Sequence, residues 1–335
     1  MKPIMRGPEP VSSHTSDKLP DALHQLTTTV PREYVHKAAI AEVLLTDWTQ
    51  TGGDTFTITA QWPREHCFYT PGTGYYDPLL FAETVRQTLP LLSHVAYQVP
   101  IGHHLIWDHF CYAIHGAGAL AIGPQPADVA LQVRCFDIAR RRDRIAALSL
   151  RVDALRDGSP LGTAETRFSC HPPAVYRRVR GRRAGFDPSL GGLPPAPPPL
   201  PASQVGHERR RNVVLSATDT PGRWQLRTDT THPVLFDHPV DHVPGAVLLE
   251  AARQAAVVLS RPMPAVAVGM RATFTRFAEL DAPCWIEARP GPADHTVHVT
   301  TRQGEEELFS AVVTTELTGT ADDGTQVTEP AYVPA

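Results

Sequence analysis

The chain is predicted to be α+β and duplicated: two related units, each an antiparallel sheet wrapped around one long central helix, associate as a pseudo-dimer. Three observations predict this. Glu83-Thr84-Val85-Arg86-Gln87 and Glu250-Ala251-Ala252-Arg253-Gln254 repeat one polar pattern, Glu-x-x-Arg-Gln, inside runs that are otherwise apolar. The shift from 83 to 250, 167 residues, also carries Gly102 onto Gly269 and Phe110 onto Phe277. Each run is followed by strand-like segments, and the remaining helices are too few to cover both faces of a sheet.

The first unit opens near Val30 with a strand through Ala39 to Leu45. The turn Gly52-Gly53-Asp54 leads into a second strand, Phe56 to Trp62, which completes a hairpin. Asp77-Pro78 is a helix start, because Asp accepts backbone N–H bonds at the N-cap and Pro suits the first helical position. That helix is expected to end near Leu89, before Pro90. Strands then follow from Val95 to Cys170, with a turn at Arg156 to Ser159 and a Gly/Ala-rich loop between Tyr112 and Ala127. The second unit repeats the plan, with a helix from Gly245 to about Leu259 and a strand from Leu308 to Leu317. The expected boundaries are a disordered tail (1–29), a first domain (30–172), an Arg/Pro-rich linker (173–211), a second domain (212–319) and a C-terminal tail (320–335). A sheet around one buried helix is the hotdog architecture, here in tandem.

With 335 residues, 42% of them hydrophobic and 20% charged, both units can bury a core. A net charge of -4 gives no global basic field, so no nucleic-acid partner is expected. The run Arg177, Arg178, Arg180, Arg182, Arg183 reads first as solvated linker charge, then as a carrier-protein or phosphate contact, and last as a nucleic-acid contact. Five cysteines without a C-x-x-C pair, and no charged-then-apolar leader, point to a reducing cytoplasm. No apolar run reaches the roughly 20 residues that span a bilayer.

Glu250 and Arg253 lie about 60° apart around a helix, with Gln254 beside them. On an ordinary amphipathic helix such a trio is an exposed salt bridge contributing about 0.2–0.5 kcal/mol. These helices are apolar on every side, however, so the trio is buried. Burying an ion pair costs several kcal/mol of desolvation, which a functional site explains better than stability does. Asp237-His238 and Asp241-His242 recur at a four-residue spacing, but they precede Pro244-Gly245 in a loop, where that spacing has no helical meaning and no metal site is expected. No Gly-rich phosphate loop, G-x-S-x-G elbow or Cys/His constellation occurs, and no cofactor is expected.

The stretch Phe236 to Ala251 resembles the central-helix motif of hotdog-fold 3-hydroxyacyl-carrier-protein dehydratases, with Glu250 at the position of the catalytic acid and Phe236 where those enzymes carry His. A longer resemblance is to the A-factor biosynthesis family, tandem hotdog synthases of γ-butyrolactone autoregulators in filamentous actinomycetes. It rests on Val35-His36-Lys37-Ala38-Ala39, on Gln61 to Tyr69, on Asp77 to Gln87, and on Asp237 to Gly245 with Glu250 to Gln254. The resemblance implies an acyltransferase that joins a β-ketoacyl group, carried by acyl carrier protein, to the hydroxyl of dihydroxyacetone phosphate. The product is a phosphorylated β-keto ester that leads on to γ-butyrolactones or butenolides.

On that reading Glu250 or Glu83, raised in pKa by apolar surroundings, is the general base. Helix-start amides near Gly245 or Leu79 hold the thioester carbonyl, and Arg253 or Arg86 clamps the phosphate. Gln254, Gln87, His238 and His242 complete the substrate-binding set. The second copy, which has Pro-Gly at its helix start, is the favoured site, and a homodimer is compatible. A hotdog thioesterase or dehydratase and a non-catalytic acyl-binding module are the alternatives.

Overall fold

Both Glu-x-x-Arg-Gln stretches fold as α-helices in the computed structural model, which describes residues 28–142, 144–195 and 197–318. The expected tails therefore lie almost wholly outside the described residues. Helix α1 runs Pro78–Val95, and Asp77 caps it by accepting from the Leu79 amide at 2.9 Å. It continues through Pro90, where the sequence predicts an end. A proline inside a helix costs about 3 kcal/mol, but Leu91 and Leu92 beyond it are each 1% exposed and each returns roughly 1.5–3 kcal/mol by burial. Helix α3, Gly245–Ser260, is the counterpart in the second unit. Between them α2, Pro173–Arg180, occupies part of the expected linker.

The strands are β1 (Leu45–Gly52), β2 (Thr55–Trp62), β3 (His104–Ile114), β4 (Ala127–Arg141), β5 (Arg144–Arg156), β6 (Ser159–His171), β7 (Leu215–Ala217), β8 (Arg223–Leu226), β9 (Ala265–Phe274), β10 (Trp285–Pro290), β11 (Thr296–Gln303) and β12 (Glu306–Leu317). Alternate residues of β4, from Ala127 to Cys135, are buried, as expected for a sheet with one face on the core. The two expected sheets are one. Their edges join through β3 and β9, paired antiparallel from His109↔Thr273 to Ala113↔Gly269, and the resulting order is β1-β2-β4-β5-β6-β3-β9-β12-β11-β10-β8-β7. Each half wraps its own helix, and the seam brings both helices into one interior.

Three sequence expectations change. The strand at Ala39 to Leu45 is instead a 3₁₀ turn at Ile40–Glu42 leading to β1. The helix supplies its backbone partners: Gln87 accepts from the Leu44 amide at 2.9 Å and donates to the Glu42 carbonyl at 2.7 Å. The coincidences Gly102/Gly269 and Phe110/Phe277 are not structural equivalences, because Gly102 lies in a turn before β3 whereas Gly269 lies within β9. A shorter helix and a shorter connection after α3 reduce the shift, so β3 starting at 104 answers β9 starting at 265. Finally, the end of the expected linker repeats the opening of the first unit. 3₁₀ turns at Ala202–Val205 and Arg210–Asn212 match those at Arg32–Val35 and Ile40–Glu42, and the proline segment lies along β7 through a Pro199↔Ser216 bridge.

Candidate active site

In the first unit the Glu83 carboxylate accepts from four nitrogens. Arg86 Nε reaches Oε2 at 2.7 Å, while Arg86 Nη2 and Gln87 Nε2 reach Oε1 at 2.8 and 2.9 Å. Lys37 Nζ, almost wholly buried, lies 3.0 Å from Oε1. Lys37 follows the first 3₁₀ turn, where His36 takes the left-handed conformation (φ 53°). Asp237, from the second unit, clamps this loop by accepting from the Ala38 and Ala39 amides at 2.6 and 3.1 Å. Burial alone raises the pKa of Glu83, but Arg86 and Lys37 outweigh it and hold the carboxyl well below the usual range. The raised pKa expected from apolar surroundings is thus reversed by the cations packed against it.

The second unit builds the same cluster with one more acid. Arg253 donates to Glu250 through Nε at 2.8 Å and Nη2 at 2.6 Å, and Gln254 Nε2 donates to it at 2.6 Å. His207 Nε2 lies 2.7 Å from Glu250 Oε1, in the place that Lys37 takes beside Glu83. The added acid is Asp77 of the first unit: its Oδ2 lies 3.1 Å from Arg253 Nε while its Oδ1 caps α1. Phe68 packs on His207 with ring centroids 5.3 Å apart. Burial raises the Glu250 pKa, and Arg253 and His207 more than reverse this, leaving it at about 2. Asp77, His207 and Glu250 bring three possible metal-ligating groups within 4.8 Å of one another, but the Arg253 guanidinium already pairs with both carboxylates.

A cavity of about 720 Å³ opens on the first cluster alone. His36, Lys37, Glu83 and Arg86 form one wall, and Gly245 and Ala246, the first turn of α3, lie on another. Leu89, Leu105, Trp107, Phe236, Leu248 and Phe274 give it an apolar lining. The α3 start has no side-chain cap, unlike that of α1; the Val247 amide donates to the Pro244 carbonyl at 2.9 Å, which leaves the Gly245 and Ala246 N–H groups to a ligand. Gly245 is required by close approach, since a Cβ there would stand 2.7 Å from the Trp107 ring. His238 and His242 also line the cavity. Glu250, Arg253 and Gln254 do not; the first and last have no exposure and Arg253 has 4%.

The family model described as the A-factor biosynthesis hotdog domain matches residues 20–172 and 192–319. A 2-oxo-3-(phosphooxy)propyl 3-oxoalkanoate synthase of Streptomyces virginiae is 48% identical over 296 residues, covering 87% of this chain and 98% of that protein. The chain belongs to the A-factor biosynthesis family. A second relative, with the same name, from Streptomyces coelicolor is 39% identical over 327 residues, 95% of this chain and 100% of its own. Among solved structures, the 12:0-ACP thioesterase from Umbellularia californica superposes with a TM-score of 0.47 at 10% identity, over 81% of this chain and 100% of that one. An acyl-ACP thioesterase from Bacteroides thetaiotaomicron gives 0.47 at 10% identity, over 78% and 98%.

The cavity thus opens on the first copy, whereas the sequence favours the second as the site. Glu83, Arg86, Gly245, His238 and His242 meet at one cavity, with Gln87 holding Glu83 from behind. Glu250, Arg253 and Gln254 form a buried cluster instead, in which Asp77 pairs with Arg253 and Phe68 packs on His207. Sequence reading gave no site role to Lys37, His207 or Asp77. The signal was present: Val35-His36-Lys37 and Val205-Gly206-His207 stand in register at a shift from 37 to 207, and both valine carbonyls accept from the paired arginine, at 3.1 and 3.2 Å. The two Asp-His pairs prove to be clamps between segments. Asp237 holds residues 38–39, while Asp241 accepts from Tyr176 Oη at 2.6 Å and from the Gly185 amide at 3.2 Å. Arg180, expected to be solvated, is 6% exposed and forks onto Glu279 at 2.7 Å through both terminal nitrogens.

Proposed function

We propose that this chain is itself a 2-oxo-3-(phosphooxy)propyl 3-oxoalkanoate synthase, an acyltransferase acting in autoregulator biosynthesis. It moves a β-ketoacyl group from an acyl-carrier-protein thioester to the hydroxyl of dihydroxyacetone phosphate. The observation that carries this reading is the cavity itself, where a carboxylate with two cations from one copy faces an uncapped helix start from the other beside an apolar lining.

The triose phosphate sits against Arg86 and Lys37, with His36 and His238 on the same side, and the acyl chain fills the apolar part. Amides of the α3 first turn hold the thioester oxygen as it gains negative charge. Glu83 takes the hydroxyl proton, the alkoxide oxygen bonds to the carbonyl carbon, the C–S bond breaks, and the proton leaves with the thiol. In the empty cavity Glu83 is a weak base, since two cations depress its pKa. A bound phosphate dianion neutralises those cations and raises the pKa of Glu83, so the acceptor substrate switches on its own base. Five free cysteines and a carrier-protein donor fit a cytoplasmic enzyme.

The test mixes a β-ketoacyl N-acetylcysteamine thioester with dihydroxyacetone phosphate and reads the products by mass spectrometry. A phosphorylated β-keto ester is the expected product. Free acid instead makes the protein a thioesterase, turnover of only a 3-hydroxyacyl thioester makes it a dehydratase, and no change leaves an acyl-binding module.

A further inference from the structure

Residues 173–183 hold five arginines and no acid in a chain whose net charge is -4. The segment is held rigidly from one side. Tyr176 is buried, stacks on His104 with ring centroids 3.6 Å apart, and donates to Asp241, while Arg180 forks onto Glu279 and lies over the Phe277 ring at 4.4 Å. The other side of α2 faces solvent with an unusual surface. Val175 and Val179, four residues apart and so on one stripe, are 40% and 56% exposed. Arg178, three residues from Val175, lies beside them and is exposed, as is Arg182 in the 3₁₀ turn that follows, Gly181–Arg183. Arg177, Arg178 and Arg182 make no ion pair among the described residues. Val179 of this face also lines the cavity, as do the neighbouring Arg180 and Arg183, so the face adjoins the cavity through Val179.

We infer that the solvent face of α2, formed by Val175, Arg178, Val179 and Arg182, docks the acidic carrier protein that delivers the β-ketoacyl thioester, an inference that rests on the acyl-transfer reading above. The chemistry matches on three counts. Unpaired guanidinium groups at a rim attract an acidic partner and speed encounter, two exposed valines give a small apolar contact at the centre of that charge, and the cavity beside them accepts the thioester-bearing arm. Fixed anchoring of the opposite face means that little ordering cost is incurred on binding.

The experiment compares wild type with the double variant Arg178→Glu, Arg182→Glu, using one β-ketoacyl group presented either on acyl carrier protein or on N-acetylcysteamine. For the carrier-bound donor, kcat/KM is expected to fall by about tenfold or more, mainly through KM and more steeply at low salt. With the small thioester the two proteins react equally. Equal behaviour with both donors, or an equal loss with both, overturns the assignment. A fluorescence-anisotropy titration of labelled carrier protein, without dihydroxyacetone phosphate, reads docking independently of turnover. Binding by wild type and its loss in the double variant supports the surface even if the acyl-transfer reading fails. Absence of binding by wild type, or tighter binding of duplex DNA or anionic vesicles to this face, overturns it.

Discussion

The Glu83 and Glu250 sites share one motif and nearly one set of contacts, yet one opens on a cavity and the other is solid protein. In both, Glu accepts from Arg and Gln of its own helix, Arg donates to a valine carbonyl, and Gln ties down the backbone that leads into a strand. The residues that differ decide the outcome. Where α3 begins after Pro244, α1 begins after Asp77, and that carboxylate spans the gap between a helix-start amide and Arg253. Asp77 therefore stands where an oxygen-bearing ligand would stand. In the open site the same two kinds of group, helix-start amides and a guanidinium, line the cavity. The closed site is a view of the open one with a built-in anion, and it indicates which atoms a substrate oxygen should meet.

The largest effect that separates the two sites is on rate. Glu83→Gln is expected to lower kcat by about 10²–10⁴ with the fold intact, read by initial rates alongside circular dichroism. Glu250→Gln should instead leave kcat per folded molecule unchanged while costing about 3–5 kcal/mol of stability, because it breaks a buried pair; urea unfolding measures this. The reverse pattern would break the comparison. Next comes Asp77→Asn, which keeps a good N-cap and leaves Arg253 with Glu250 but removes the second carboxylate from the buried guanidinium; a lowered Tm with unchanged kcat is the expected outcome. Gly245→Ala is expected to cost about 1–3 kcal/mol by overpacking against Trp107 and, unlike Asp77→Asn, to reduce kcat as the α3 start moves.

The smallest effect is a pH signature. The Glu250 pKa is lowered from 4.5 to about 2 in the folded state. Its contribution to stability is therefore full above 4.5 and is lost as pH falls through about 2. The Tm of wild type should drop across that window more than the Tm of Glu250→Gln, in which the carboxylate is gone.

What the sequence made legible followed strong local rules. Both helices, the Asp77 cap, the strands around 128–135 and 145–152 and the hairpin turn at 156–159 rest on periodicity and turn chemistry that act within a few residues, whereas the run of strands expected from Val95 begins only at His104 because α1 extends to Val95. Burial of Glu83 and Glu250 followed from helices apolar all round. Which copy opens on the cavity was not legible, because it depends on a side chain from one unit reaching Arg253 of the other, a contact between residues 77 and 253 that no window contains. Lys37 and His207 escaped for a related reason: they sit on irregular turns, and a spacing slip between turn and helix hides their equivalence. The direction of the Glu83 pKa went astray because apolar neighbours were visible in sequence, whereas Lys37, 46 positions away, was not.

The Asp77/Pro244 difference can exist only because both copies lie on one polypeptide. Two identical subunits would carry the same residue at both helix starts, and their centres would be alike. Fusion removes that obligation, so one half can become scaffolding while the other keeps the chemistry. On the proposed reading each chain turns over at a single centre, and a tight-binding inhibitor is expected to titrate to one equivalent per polypeptide, with no cooperativity between halves.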